Sequence, residues 1–295
     1  MPTLFVNAGG RLRAPWRLLA FAAITAAALL VIGGGGGALA GVLGIHLPSG
    51  PYRPAWIQSA GAWCLLLALL VAHWATLRWV EHRPWTFVRL GRSQAHPRVL
   101  ATGAVLGALA IGIPSLLLVA LRWLAVADVS HPVSWTTFLA VTLLLFVPAA
   151  LVEELLFRGY AFAVLRETWG WRWTLGVTSV IFGVVHAANP GATVLSVSAV
   201  VLAGVWLGVV LLATGSLYAA WMAHFTWNWV MAALLHTPVS GLPLPTPAYR
   251  VFDAGPDWLT GGGWGPEGGV LAIAGMGATM AVLVMRRMRR KEWME

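Results

Sequence analysis

Residues 135–165 read WTTFLAVTLLLFVPAALVEELLFRGYAFAVL, an apolar run that carries Glu153, Glu154 and Arg158 and meets no further charge until Arg166. The pattern predicts one helix continuing to about Leu165, with both glutamates and the arginine at membrane depth. A charge there costs at least about 2.5–3.5 kcal/mol on insertion scales and is functional by default. The rest of the chain decides whether that setting applies. Of its 295 residues 59 % are hydrophobic and 10 % charged, and the mean hydropathy is +0.79. A soluble domain carries roughly 25 % charged residues to cover its surface. The same composition excludes intrinsic disorder, and Cys64 as the single cysteine excludes a disulfide framework. The chain reads as an all-α, polytopic integral membrane protein, in a bacterial plasma membrane by expectation.

Eight uncharged apolar runs surround and include this stretch: Leu18–Gly41, Ile57–Leu77, Val99–Leu121, Trp135–Val152, Thr174–Ala188, Ala192–Leu212, Ser216–Leu235 and Gly268–Met285. Crossing roughly 30 Å of hydrocarbon takes about 20 helical residues. Most runs qualify, and the fifth is short. The sequence pI of about 11.2 suggests nucleic acid only until the basic residues are placed. They fall in short clusters between the runs, where they set orientation. With the N-terminus inside, the inner segments hold Arg11, Arg13, Arg17, Arg78, Arg83, Arg89, Arg92, Arg98, Arg166, Arg172, Arg286, Arg287, Arg289, Arg290 and Lys291. The outer loops hold only Arg53, Arg122 and Arg250. The asymmetry predicts about eight spans with both termini cytoplasmic, a lipid-bilayer setting and no nucleic-acid partner.

The predicted organisation is three spans in 1–134, a chemical core in 135–235, an outer loop in 236–267 and a last span with a basic tail in 268–295. Arg11–Arg17, an apolar run and Ala38-Leu39-Ala40 resemble a signal peptide, but the run is long for one and reads as an uncleaved span. Gly33–Gly37 within it reads as a close-packing surface. Trp169, Trp171 and Trp173 read as an inner interfacial belt, and Trp258 and Trp264 as interfacial residues of the outer loop.

Glu154 and Arg158 stand at i,i+4 and share a helix face, whereas Glu153 is turned about 100° away. One carboxylate is therefore expected to be paired and one spare. Two later runs carry further polar groups: His186 at the end of Phe182-Gly183-Val184-Val185-His186, and His224 with Asn228 one turn apart. At 1.5 Å per residue, Glu153 lies about 20 Å from Arg166, His186 about 21 Å from Arg172, and His224 and Asn228 about 14 and 20 Å from Gly215. Three helices of alternating direction thus bring these groups to one level. A carboxylate and an imidazole around one water can generate hydroxide for attack on a carbonyl. An imidazole N–H and an amide N–H one turn apart can meet the oxyanion that develops. Glu153, His186 and His224 also suit a divalent metal such as zinc, with water in the open position. The residues alone leave metal-free and metal-bound water activation both open.

Glu-Glu-x-x-x-Arg, Phe-x-x-x-His and His-x-x-x-Asn, in this order on separate membrane helices, resemble the type II CAAX prenyl endopeptidases. More broadly they resemble the CPBP family (CAAX proteases and bacteriocin-processing proteins, or Abi family). Thr214-Gly215-Ser216-Leu217 is similar to the family's entry to its last motif helix. The resemblance covers about residues 135–235. It implies an intramembrane endopeptidase with a cavity open to the cytoplasmic side, acting on a membrane-embedded or lipidated peptide. By motif position, Glu153 and His186 would activate water and His224 and Asn228 would hold the oxyanion. Glu154 with Arg158 would support the first motif helix. Such enzymes are often catalogued as metalloproteases, although a glutamate–histidine water mechanism is the better-supported family view.

Two other readings compete: a non-catalytic scaffold or immunity protein binding a peptide or lipidated partner in the same pocket, and a carrier with a Glu–His relay. The carrier is weaker because no inverted repeat or paired broken helices are visible. Ser216 lacks a Gly-x-Ser-Gly context and reads as a helix N-cap. Phe182 is expected to pack beside His186 and shape the pocket. His46, His73, His82, His96, His131 and His236 lie at run ends or in loops and read as structural.

Overall fold

The computed structural model describes residues 4–7, 9–42, 44, 55–128, 134–244 and 249–290. Arg53, His46, His131, Lys291 and the side chains of Arg287, Arg289 and Arg290 lie outside the described residues. Each of the eight apolar runs is helical. The helices are α1 (Ala14–Val42), α2 (Ala55–Ala75), α3 (Pro97–Ala120), α4 (Trp135–Arg158), α5 (Tyr160–His186), α6 (Val194–Thr214), α7 (Leu217–Trp229) and α8 (Val270–Arg290). Among the described residues five stretches are long and apolar enough to cross a membrane: Ala14–Val42, Trp56–Glu81, Pro97–Ala120, Trp135–His186 and Val194–Thr214. The fourth and fifth runs merge into one of these, 52 residues long. α7 has 13 residues, extended by the wider turn Val230–Leu234.

The unbroken helix predicted to Leu165 is interrupted. Gly159 takes φ −82 and ψ −125, so α4 stops at Arg158 and α5 starts at Tyr160. A Cβ at Gly159 would run into the Leu155 carbonyl and the ring of His73. The break is therefore sealed from outside α4: Tyr160 N–H, deprived of its helical acceptor, donates to His73 Nε2 at 3.1 Å. The second ring nitrogen, Nδ1, donates to the Leu69 carbonyl at 2.8 Å. α5 is broken again at Gly170 (φ 75), between Trp169 and Trp171.

α7 packs on α3 through glycine. A Cβ at Gly103 or Gly107 would strike the carbonyls of Ala219 and Ala223, so the two backbones touch without intervening side chains. That contact needs no hydrophobic driving force, only close van der Waals fit. It fixes the height of α7, and with it His224.

Two expectations are corrected here. The 236–267 segment is not simply a loop lying at the interface. It supplies strand β2 (Tyr249–Asp253), antiparallel to β1 (Leu124–Asp128) with Val126 opposite Val251, and a single helical turn at Asp257–Thr260. Trp258 is exposed as an interfacial tryptophan would be, but Trp264 is fully buried in the main core. Ser216 does occupy the N-cap position of α7, yet its hydroxyl makes no cap bond. It donates instead to the Gln94 carbonyl at 2.7 Å, pinning α7 to the segment before α3.

Candidate active site

The last turn and a half of α4 presents Glu153, Glu154 and Arg158 to α5, α6 and α7. Glu154 and Arg158 are completely enclosed; Arg158 Nη1 donates to Glu154 Oε1 at 3.1 Å. Its Nη2 donates to the Gly204 carbonyl on α6 at 3.1 Å. The guanidinium also lies over the Phe182 ring, 4.3 Å from the centroid. The pairing expected from i,i+4 spacing is present, and it also ties α4 to α6.

Glu154 Oε1 has a second partner, His224 Nδ1 at 2.9 Å. Because the same oxygen accepts from the arginine, the imidazole nitrogen is the donor. His224 therefore turns Nε2 toward Glu153, whose Oε2 lies 3.8 Å away. His186 does the same from α5: Nδ1 donates to the Phe182 carbonyl at 2.6 Å, and Nε2 sits 3.7 Å from Glu153 Oε2. One carboxylate oxygen is thus flanked by two imidazole nitrogens. It is buried and has no hydrogen-bond partner of its own, as is Glu154 Oε2. Buried polar oxygens without partners are uncommon and mark places where water or a ligand group belongs.

A separation of 3.7–3.8 Å is too long for a direct hydrogen bond and suits one water held by both groups. Next to it is a cavity of about 30 Å³, lined by His186, His224, Asn228, Phe182, Ser240 and Glu267 among others. That space accommodates a water molecule, which needs at least about 10–15 Å³. Asn228, half-buried, lies one turn beyond His224 on the same wall. The side chain of Glu153 is 31 % exposed against 0 % for Glu154. The paired carboxylate is sealed in and the spare one is reachable.

Among the described residues no group of three or more His, Cys, Asp or Glu side chains is arranged to hold a metal ion. Glu153, His186 and His224 converge without forming a ligand cage.

Comparison with known families gives a match over one segment of the chain. Residues 134–230 match the family model described as type II CAAX prenyl endopeptidase Rce1-like. That segment is similar to the family. The match covers about a third of the chain and contains α4, α5, α6 and α7 as far as Val230, hence every residue named above for the site except Ser240 and Glu267. Comparison with curated proteins and with solved structures gives no match for the chain.

Several groups around the site carry no motif in the sequence, some of them outside the Rce1-like segment. Glu267 is buried and accepts from Trp227 Nε1 at 2.8 Å and from Ser240 N and Oγ at 2.6 and 2.7 Å. Asn189, just after His186, donates to the Ser240 carbonyl at 3.0 Å. These contacts roof the small cavity with the 236–267 segment. An acidic residue in a Pro- and Gly-rich stretch carries no periodicity that would reveal this. His73, which seals the helix break behind Arg158, was visible only as an isolated polar residue near the end of an apolar run. The arginine-rich end is likewise more ordered than a charge count implies. Arg17 makes a bidentate pair with Glu81 at 2.7 and 2.9 Å and reaches Glu167 at 2.9 Å. Arg83 and Tyr160 complete the network.

Proposed function

We propose that this protein is an intramembrane endopeptidase that hydrolyses a peptide bond of a membrane-anchored or lipidated substrate with water activated by Glu153 and His186. The observation that carries the reading is the flanked, unpartnered Oε2 of Glu153 within an Rce1-like segment.

His186 is fixed with its proton on Nδ1 by the Phe182 carbonyl, leaving a lone pair on Nε2. A water between that nitrogen and Glu153 gives up a proton to the Glu153 carboxylate, with His186 Nε2 accepting from its other hydrogen, as its oxygen attacks the scissile carbonyl carbon. The C–O bond forms, the carbonyl π bond opens, and negative charge gathers on the carbonyl oxygen. In this mechanism Asn228, on the wall of the small cavity, donates its amide N–H to that oxygen. His224 can donate from Nε2 only as the doubly protonated ring, because its Nδ1 proton is committed to Glu154. Glu154 supports that cationic form by standing against it, while Arg158 balances the carboxylate. Collapse of the intermediate breaks the C–N bond, and the proton taken from water passes to the leaving amine. An oxyanion donor of this kind is worth about 10²–10³ in kcat.

The test uses the full chain in lipid nanodiscs with free, membrane-anchored and farnesylated peptides, the products read by mass spectrometry with and without a chelator. Glu153→Ala and His186→Ala are each expected to lower turnover by about 10²–10⁴-fold while keeping the thermal midpoint of the unmodified protein. Near-normal cleavage by both variants sinks the mechanism. Loss of cleavage on chelation assigns the water to a metal. Peptide binding without cleavage, equal in Glu153→Ala, makes the protein a scaffold.

A further inference from the structure

Part of the wall of the small cavity comes from beyond α7. Glu267, in the short turn Pro266–Gly268 ahead of α8, is buried and lines that cavity together with Ser240. Its two oxygens serve two different segments. Oε2 accepts from Trp227 Nε1 at 2.8 Å, and Oε1 accepts from Ser240 N and Oγ at 2.6 and 2.7 Å. Trp227 belongs to α7, where it stands between His224 and Asn228, and its ring meets that of Trp206 on α6 at 5.6 Å between centroids. Ser240 leads the other way. Its carbonyl accepts from Asn189 Nδ2 at 3.0 Å, and the Asn189 backbone N–H donates to the His186 carbonyl at 3.0 Å. A continuous hydrogen-bonded path thus joins the cavity face of α7 to the end of α5.

The residues on this path are chosen closely. Ser240 has φ 49 and Gly241 φ 77, the two left-handed positions of a tight turn bridged by Val239 and Leu242. A side chain in that region persists only where its surroundings over-determine it, and such positions collect at functional sites. Glu267 supplies the restraint by taking both donors of Ser240. An amide could not replace it. The Trp227 indole and the Ser240 backbone offer N–H donors only, a carboxylate accepts on both oxygens, and a glutamine would turn its NH₂ against one of them. We propose that Glu267 is a positioning residue: by holding Trp227 and Ser240 together it sets His224 and Asn228 across the cavity from His186. The kinetic part of this inference rests on the hydrolysis proposed above; the placement of Asn228 is read separately.

The test uses the full chain in nanodiscs, with whichever of the free, membrane-anchored and farnesylated peptides the unmodified protein cleaves. Glu267→Gln should lower kcat about 10–10²-fold, as a misplacement of about 1 Å does. KM should stay within about twofold, the pattern of an interaction made in the transition state. Trp227→Phe, which keeps the ring and removes the N–H, should act alike, and the double variant should be no slower than either single one. Thr260→Val, which breaks the Thr260–Asp253 bond elsewhere in the same segment, should lower the thermal midpoint and leave kcat unchanged. Should Glu267→Gln not fold, Ser240→Ala, which removes one of the two serine donors, should show a smaller loss of kcat in the same direction. The chain has three asparagines, Asn7, Asn189 and Asn228, so isotope-labelled asparagine gives a sparse set of side-chain amide resonances. Those of Asn228 should move in Glu267→Gln and Trp227→Phe and stay in place in Thr260→Val. Unchanged kcat with unmoved Asn228 resonances overturns the positioning, as does a loss of kcat in Thr260→Val equal to that in Glu267→Gln. If the unmodified protein cleaves no peptide, the hydrolytic reading falls, and the Asn228 resonances alone decide: movement supports the placement and stillness overturns it.

Discussion

Two clusters in this protein each set two glutamates among cations, and they are finished differently. At the arginine-rich end, Glu81 and Glu167 meet Arg17 and Arg83, with Tyr160 donating to Glu81. All four carboxylate oxygens are satisfied. At the end of α4, Glu153 and Glu154 have a single arginine nearby, and it pairs with Glu154 alone. His224 takes a second bond to the same oxygen, and one oxygen on each glutamate has no partner. The first cluster has the form of a clamp between α1, the end of α2 and α5. The second is one cation short, and its unbalanced carboxylate is the one within reach of a water and two imidazoles. Incomplete neutralisation, costly in a buried place, is what distinguishes the proposed reactive site from the structural cluster.

The most severe way to break that contrast is to remove the carboxylate that both halves of the inner cluster use. Glu154→Ala strands Arg158 in a fully enclosed position and frees His224. Breaking a buried pair from one side costs about 3–5 kcal/mol, which predicts a marked fall in folded yield and thermal midpoint. The molecules that do fold should also turn over more slowly, since His224 loses the group that favours its donor form. A variant with unchanged stability would show that the pair does not hold α4.

Glu81→Gln sharpens the comparison from the other side. It removes the charge that receives both bonds from Arg17 and the Tyr160 hydroxyl. Hydrogen bonds to charged groups contribute about 1.5–3 kcal/mol, so the thermal midpoint should fall by less than in Glu154→Ala. Turnover per folded molecule should stay as it was. A variant with intact stability and impaired turnover would reverse the roles of the two clusters.

The sequence carried the helices because apolar runs and the placement of arginines report directly on the membrane. It pointed to the convergence of Glu153, His186 and His224 because charges and histidines inside such runs are few, and their spacing puts them at one depth. Glu154 with Arg158 followed from i,i+4 geometry alone. What it did not carry are contacts between segments remote in the chain. The break at Gly159 lies within a stretch whose residues favour helix, and its stabilising partner is 87 residues away. Glu267 roofs the cavity from a segment without helical period, and Trp264 enters the core where its position suggested an interface. Ser216 kept the position of a cap and gave its hydroxyl to Gln94, a choice set by the packing of α7 near α3.

Tyr160 is where the two clusters meet, and His73 is the residue that tests whether they are independent. The tyrosine follows the helix break directly; its backbone N–H is held by His73 and its hydroxyl by Glu81. His73→Ala leaves that N–H buried without an acceptor, at a cost of about 1–3 kcal/mol. If the break is only a local feature, the loss adds to that of Glu81→Gln, and turnover per folded molecule is unaffected. If the clusters communicate, the double variant departs from the sum by more than about 0.5 kcal/mol, and turnover falls in His73→Ala because Arg158, two residues before Tyr160, shifts with it. His73→Gln, whose amide oxygen can accept the same N–H, should recover part of the stability. Thermal unfolding of the four proteins of this cycle, with cleavage rates for each, separates the two cases. A full cycle with additive stabilities and constant turnover would establish the arginine-rich network as a clamp and nothing more.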